Sequence, residues 1–207
     1  MYTPPAFKEE TLSVLHAIID AAALPTLVTA TADGLVATPL PLLLVRDEGP
    51  HGTLYGHLAR ANPQGSTAPI GSTLAIFMGP DAYVSPSWYA SKREHGKVVP
   101  TWNYAAVHAY GEAEFFTDED RLLDVVTRLT NRHEAGRTEP WRVSDAPPAF
   151  LKAQLRGITG LRLPIHRLDG KRKISQNRST EDRQGVAAGL AGSGREVDRL
   201  VAAEIPA

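Results

Sequence analysis

Between Thr26 and Phe116 the chain offers one short β-prone run after another, with no stretch long enough for a useful helix between them. "TLVTATADGLVATPLPLLLV" reads as a hairpin. Its flanks are rich in Val, Leu and Thr, and Asp33-Gly34 supplies the turn, where glycine takes a positive φ without penalty. "GTLYGHLAR", from Gly52 to about Arg60, is a third strand. "STLAIFMGPDAYVSP" predicts two short strands around the turn tripeptide Gly79-Pro80-Asp81. "VPTWNYAAVHAYGEAEFF" gives one or two more, ending near Phe116. Closely spaced strands with hairpin punctuation argue for an antiparallel sheet or barrel, not for alternating βαβ units.

Helices flank this block. Residues 8–23 place Leu12, Leu15, Ile19 and Ala22 on one face, and Pro25 ends the pattern. "TDEDRLLDVVTRLTNRHEAG" is the clearest helix: Thr117 and Asp120 suggest a capping box, Leu122, Val125, Val126 and Leu129 form a stripe, and Gly136 can stop it. A further helix is expected from Pro147 to about Arg156, with Ser144 or Asp145 near its cap and Gly157 at its end. In "GLRLPIHRLDG", Leu161, Leu163 and Ile165 alternate with polar neighbours as in a strand. The tail from about Asp182 reads as a short helix, a break at Gly192–Gly194 and a last helix. The coarse class is α+β, a β-barrel carrying peripheral helices. The expected division is a main domain over 1–190 and a helical tail over 191–207.

Composition narrows the chemistry. A net charge of −1 gives no global pull toward nucleic acid or anionic lipid. The absence of cysteine excludes disulfides, zinc thiolates, iron–sulfur clusters and cysteine nucleophiles. The start "MYTPPAFKEE" lacks the basic-then-apolar order of a signal peptide, and no apolar run nears the ~20 residues of a membrane-spanning helix. A soluble, cytoplasmic protein is expected. The seven histidines show no HxxxH or HExxH spacing, so no metal site is expected. Dinucleotide, Walker and GxSxG motifs are missing too.

Four stretches are locally odd: "HLARANPQ", "SPSWYASKREHGK", "KVVPTWNYAAVHAYG" and "GKRKISQNRS". Taken singly, their aromatics suit a core or an interface and their lysines a solvated face. Together they suit a planar, anionic, heteroaromatic ligand such as flavin mononucleotide (FMN). Its phosphate needs cations and hydroxyls, for which Arg60, Lys92, Lys173 and Ser175 are candidates, with His57 and Ser87 nearby. Its ring needs flat walls, which Trp88, Trp102 and Tyr104 can provide. Its polar edge needs amides, and Asn62, Asn103, Gln176 and Asn177 qualify. No spacing singles out a catalytic residue; His57, His108 and Tyr104 are conceivable proton relays.

"HLARANPQ", "GPDAYVSPSWY", "HGKVVPTWNYAAVHAYG" and "KISQNRS", in that order after "MYTPPAF", resemble the motif set of the PaiB-type, FMN-binding negative transcriptional regulators. The resemblance runs from Met1 to about Leu190. It implies a flavin-reductase-like split β-barrel, mostly antiparallel, a homodimer with flavin sites at or near the subunit seam, and a repressor linked to sporulation and degradative-enzyme genes. Promoter DNA is then an expected partner, and Lys171, Arg172, Arg178 and Arg183 are the candidate phosphate contacts, although no helix-turn-helix with a basic second helix is legible. Alternatives are a flavin-dependent oxidoreductase of the same barrel class and, behind it, a haem-binding or haem-degrading protein using His57 or His108.

Overall fold

The computed structural model describes residues 1–207. Its elements run β1 (Lys8–Glu9), α1 (Leu12–Ala21), β2 (Thr26–Thr31), β3 (Gly34–Pro39), β4 (Leu43–Val45), β5 (Thr53–Ala59), β6 (Thr73–Val84), α2 (Ser91–His95), β7 (Thr101–Gly111), β8 (Glu114–Phe116), α3 (Glu119–Glu134), α4 (Pro148–Leu155), β9 (Ile158–Lys173), α5 (Thr180–Ala191) and α6 (Glu196–Glu204). The strands hydrogen-bond in the order β3-β2-β6-β7-β9-β5-β4, and β1 and β8 also pair with β9. No helix is long and apolar enough to cross a membrane. The chain divides into two compact units, one of residues 22–77 and 108–168, the other of residues 1–21, 78–107 and 169–207.

In the first of these units β2 and β3 form the expected hairpin, with Thr31 opposite Gly34 and Gly34 at φ +116°. β5 lies antiparallel between β4 and β9. Leu122, Val125 and Leu129 of α3 pack with Leu155 of α4 and Phe116 of β8, which is why that helix carries an apolar stripe. Gly160 is required here, because a Cβ at that position would sit 2.4 Å from the Phe116 ring. The end of β5 is tied down by amides. Asn62 donates from Nδ2 to Thr38 Oγ1 at 3.0 Å, and the fully buried Gln64 donates from Nε2 to Leu27 O, Thr29 Oγ1 and Val36 O.

The other unit packs α5 and α6 through Val186, Leu190 and Val201 against Ala82, Val84 and Tyr89. Residues 191–207 therefore share this core. Trp88 lies directly on α5: a Cβ at Gly189 would fall 2.3 Å from its indole, and one at Gly185 would fall 2.0 Å from its carbonyl oxygen. Asp182 of α5, 4% exposed, accepts from Ser91 N at 3.0 Å and Ser91 Oγ at 2.8 Å, and so fixes the start of α2.

Three expectations change. Gly79-Pro80-Asp81 makes no turn; β6 runs unbroken from Thr73 to Val84. Gly79 instead permits a close approach, since a Cβ there would lie 3.1 Å from that of Ala105. The cap of α3 is Asp118, whose carboxylate accepts from Arg121 N at 2.9 Å, rather than a Thr117/Asp120 box. β9 extends to Lys173, beyond the "GLRLPIHRLDG" run, because β1 pairs with its far end (Lys8 opposite Lys171, Glu9 opposite Gly170).

Replacing Gly189 by leucine should displace the Trp88 indole. Overpacking of this kind costs about 1–3 kcal/mol. Thermal melting followed by tryptophan fluorescence should show a lowered midpoint and a shifted native emission. An unchanged melt and spectrum would mean that Trp88 does not rest on α5.

Candidate functional site

β9 ends at Lys173, and the next residues turn back sharply. Ser175 adopts φ +64°, the left-handed region, and no other non-glycine residue in the chain does so. Two sets of side-chain bonds hold it there. Gln176 clamps the turn, accepting from Ile174 N at 2.8 Å through Oε1 and donating from Nε2 to Arg172 O. Ser175 Oγ pairs reciprocally with Asn103 of β7, accepting from Nδ2 at 2.9 Å and lying 3.2 Å from Oδ1. Both partners are buried (Asn103 1% exposed, Ser175 4%), so the pair is satisfied without water.

Above this pair opens a cavity of about 200 Å³. Its walls are the rings of Phe7 and Tyr89. Its polar groups are the hydroxyls of Thr101 and Ser175 and the amides of Asn103 and Asn177. Lys173 and Arg178 are its cations, and no carboxylate lines it. Lys173 Nζ donates to Thr101 Oγ1 and Trp102 O, both neutral acceptors. The Arg178 guanidinium lies 4.9 Å from the centre of the Tyr89 ring. Tyr89 is 2% exposed, and the Arg178 guanidinium interacts with its phenol.

The electrostatics follow from this lining. Burial holds the Lys173 ammonium below the ordinary lysine range, and the positive charges of Lys171 and Arg178 press it further down. Burial raises the Tyr89 phenol, Arg178 opposes that rise, and the Asp182 carboxylate adds to it. Asp182 itself is committed to Ser91. The cavity thus gathers positive charge that no acidic side chain in its wall neutralises, an arrangement suited to an anion.

Of the residues expected to contact a flavin, Asn103, Lys173, Ser175 and Asn177 line this cavity. Gln176 supports it by shaping the turn. Trp102 and Tyr104 belong to the same stretch of β7. Trp102 is half exposed and meets Tyr83 edge-on at 6.0 Å, while Tyr104 has Lys171 Nζ 5.2 Å from its ring centre. Trp88 faces α5. Ser87 and Lys92 are exposed and bonded to each other at 3.3 Å.

His57, Arg60 and Asn62 belong to the other compact unit. Arg60 donates from Nε to Ile158 O at 3.0 Å, and Asn62 accepts from Gln64 N at 3.0 Å. His57 lies opposite Gly160 in the β5–β9 ladder, its Nδ1 is buried without a partner, and burial lowers its pKa, which favours the neutral ring. His108 Nδ1 lies 3.4 Å from Tyr110 Oη.

Sequence reasoning missed Phe7, Tyr89 and Thr101, and it assigned Arg178 to DNA. Thr101 was recoverable, since it stands two residues before Asn103 and strand alternation puts both on one face. Phe7 and Tyr89 come from distant segments and carry no local signal. The other cations proposed for DNA are internally engaged. Lys171 is 9% exposed and donates to Tyr2 O, Arg172 ion-pairs with Glu9 and Glu204, and Arg183 donates to Arg178 O, Pro206 O and Ala207 O.

Residues 1–167 match the model of a family described as "Putative FMN-binding domain". The chain is 34% identical to the Bacillus subtilis (strain 168) "Protease synthase and sporulation protein PAI 2", over 90% of this chain and 87% of that protein. It is 32% identical to the uncharacterized protein AN0679 of Emericella nidulans, over 98% and 95% of the two chains. Among solved structures it resembles the FAD and heme binding protein of Mycobacterium smegmatis (TM-score 0.61, 17% identity, 88% of this chain and 80% of that one). It also resembles the flavocytochrome Anf3 of Azotobacter vinelandii (TM-score 0.58, 16% identity, 80% and 69%). The fold is a split β-barrel with peripheral helices, and the cofactor is FMN. The cations and hydroxyls of the cavity fit an anionic group of that cofactor.

The depressed lysine has a consequence for the ligand-free protein. Between the lowered Lys173 value and the ordinary 10.5, the unfolded chain binds more protons than the folded one, so stability rises with pH across that window. The wild type minus Lys173→Met difference in unfolding free energy should therefore increase from neutral pH toward pH 10. A flat or falling difference would mean that Lys173 is not penalised by its surroundings.

Proposed function

The chain belongs to this FMN-binding domain family, and on that premise we propose that it works as a flavin-binding regulator of the PaiB type, with the Lys173 cavity as part of its flavin seat. The observation that carries the seat is the cavity's composition, two cations among hydroxyls and amides with no acid in the wall. When bound, FMN supplies redox chemistry; the protein's part is to hold and orient it and to exclude water. Asn103 and Ser175 keep the wall rigid, and Phe7 and Tyr89 close its apolar side.

Support for regulation comes from the ordered PaiB-type motifs and from the 34% identity to a protein named for sporulation. Direct contact with promoter DNA draws less support, because Lys171, Arg172 and Arg183 are spent on internal partners. A protein that grips DNA through phosphates loses affinity steeply as salt rises. Retention of a promoter fragment at low salt and its loss at moderate salt would favour direct repression. No retention even at low salt would rule direct repression out.

Assembly as a homodimer fits the half-exposed Met78, Tyr83 and Trp102 on β6 and β7 (51%, 45% and 49% exposed). A two-fold axis would let each copy cover the other's patch. Trp102→Ala should then weaken the dimer in sedimentation, as truncating a buried aromatic typically costs about 3–5 kcal/mol. An unchanged association constant would reject that seam.

The primary test is the visible spectrum of the purified protein, supplemented with FMN and freed of excess. Flavin bands that co-elute with the protein are expected. A colourless protein after loading would overturn the reading, and a Soret band would point to haem instead.

A further inference from the structure

A larger cavity, of about 650 Å³, lies beside α3 and α4, wholly within the unit of residues 22–77 and 108–168. It shares no residue with the Lys173 cavity. α3 contributes Leu123, Thr127 and Asn131, which are spaced four apart and so stand on one helix face. Leu151 comes from α4, and Val143 and Ser144 come from the short helical turn Val143–Asp145 that precedes it. Leu123 and Leu151 are half-buried and pack on the core of Leu122, Val125, Leu129 and Leu155, so an apolar floor continues outward from that cluster. Trp141 and Phe150, adjacent in sequence to Arg142 and Leu151, leave rings 49% and 56% exposed, which adds apolar surface that a purely solvated face does not need.

Arg142 is the one charged residue in the lining. Its backbone is pinned on both sides. Trp141 N donates to Glu134 Oε2 at 3.1 Å, and Arg142 N donates to the Asp145 carboxylate at 2.9 Å. Cations of the flanking segments are ion-paired, Arg128 with Asp124, Arg137 with Glu134 and Lys152 with Glu119, whereas the Arg142 guanidinium has no acidic partner. The volume falls within the roughly 300–1,000 Å³ that enclose drug-sized ligands. One cation above an aliphatic floor calls for one negative charge on an apolar body. A guanidinium meets a carboxylate through two parallel hydrogen bonds. A phosphate monoester, at about −1.5 to −2 near neutral pH, would ask for a second cation that this lining lacks. A neutral apolar ligand would cover Arg142 and leave its charge unpaired, which is costly once water is excluded.

We infer that this cavity is a binding site for a small monocarboxylate with an aliphatic body, its carboxylate held by Arg142 and its chain laid on Leu123, Val143 and Leu151. Thr127, Asn131 and Ser144 supply further hydrogen-bond donors to the lining. The site is independent of the flavin reading, since no residue is common to the two cavities. A bound ligand ties α3 to the 142–151 segment. No bond is made or broken.

The test uses the full chain without added flavin and decanoate as the probe, kept below its micelle-forming concentration and followed by isothermal titration calorimetry. Decanol has the body without the charge, decylamine has the opposite charge, and acetate has the head alone. Wild type should bind decanoate saturably and stoichiometrically. Decanol and decylamine should bind at least about tenfold more weakly, because the charge-assisted bonds to the guanidinium are lost. Acetate should bind too weakly to saturate. Arg142→Met should bring decanoate down to the level of decanol, and Arg142→Lys should retain part of the preference. Thr127→Trp, which fills the lining with a large ring, should abolish decanoate binding. Saturating FMN should leave decanoate binding as it was.

No saturable binding of decanoate by wild type would overturn the site. So would equal affinity for decanol or decylamine, equal affinity for acetate, or an undiminished preference in Arg142→Met. Displacement of decanoate by FMN would put the carboxylate in the flavin seat and overturn this assignment while leaving the flavin reading intact. A protein that binds no FMN fails the flavin reading alone, and the decanoate comparisons still decide this site. Those comparisons use wild type, so the inference stays open to refutation even if a substitution fails to fold.

Discussion

The buried bond pair between Asn103 and Ser175 is the constraint on which the candidate site depends. It joins β7 to the turn after β9 across 72 residues of sequence. Together with the Gln176 clamp it holds Ser175 in the left-handed region, where a serine is otherwise disfavoured. Asn177 and Arg178, which follow the turn, line the same cavity as Lys173, which precedes it. Asn103 also sits two residues after Thr101, so the same strand that anchors the turn supplies a hydroxyl to the cavity. One buried polar contact thereby sets both the shape and the donor pattern of the site.

The cavity is electrostatically unfavourable when empty. Lys173 is partly desolvated, faces neutral oxygens, and lies near Lys171 and Arg178. Elsewhere in the same unit cations are paired, as Arg172 is with Glu9 and Glu204. Leaving charge unpaired in one concave place costs folding stability, and such costs gather where a ligand is to be held. The supporting core bears that cost. Tyr89 is locked by the α5–α6 cluster, and the glycines of α5 let Trp88 dock close behind it.

Much of the architecture was readable from local patterns. The β2–β3 hairpin, α3, α4 and the two tail helices all appear where periodicity and turn residues put them, because each is specified by neighbours within a few positions. Gly79-Pro80-Asp81 misled for the converse reason. Its composition signals a turn, but its place in β6 beside Ala105 makes the glycine a point of close approach instead. In "HLARANPQ", Asn62 and Gln64 tie the end of β5 to the β2–β3 hairpin, through partners that no local pattern reveals.

By itself the sequence determined the class of fold and the kind of cofactor, and it singled out Asn103, Lys173, Ser175 and Asn177, which line one cavity, since each of these rests on residue chemistry or short-range spacing. Only the tertiary structure decided that Phe7, Tyr89, Thr101 and Arg178 complete the cavity, that Trp88 turns toward α5, and that Lys171, Arg172 and Arg183 are occupied internally. The reason is physical. Whether a cation or a ring is spent inside the protein or left for a ligand depends on partners tens of residues away, and those meet only once the chain has folded.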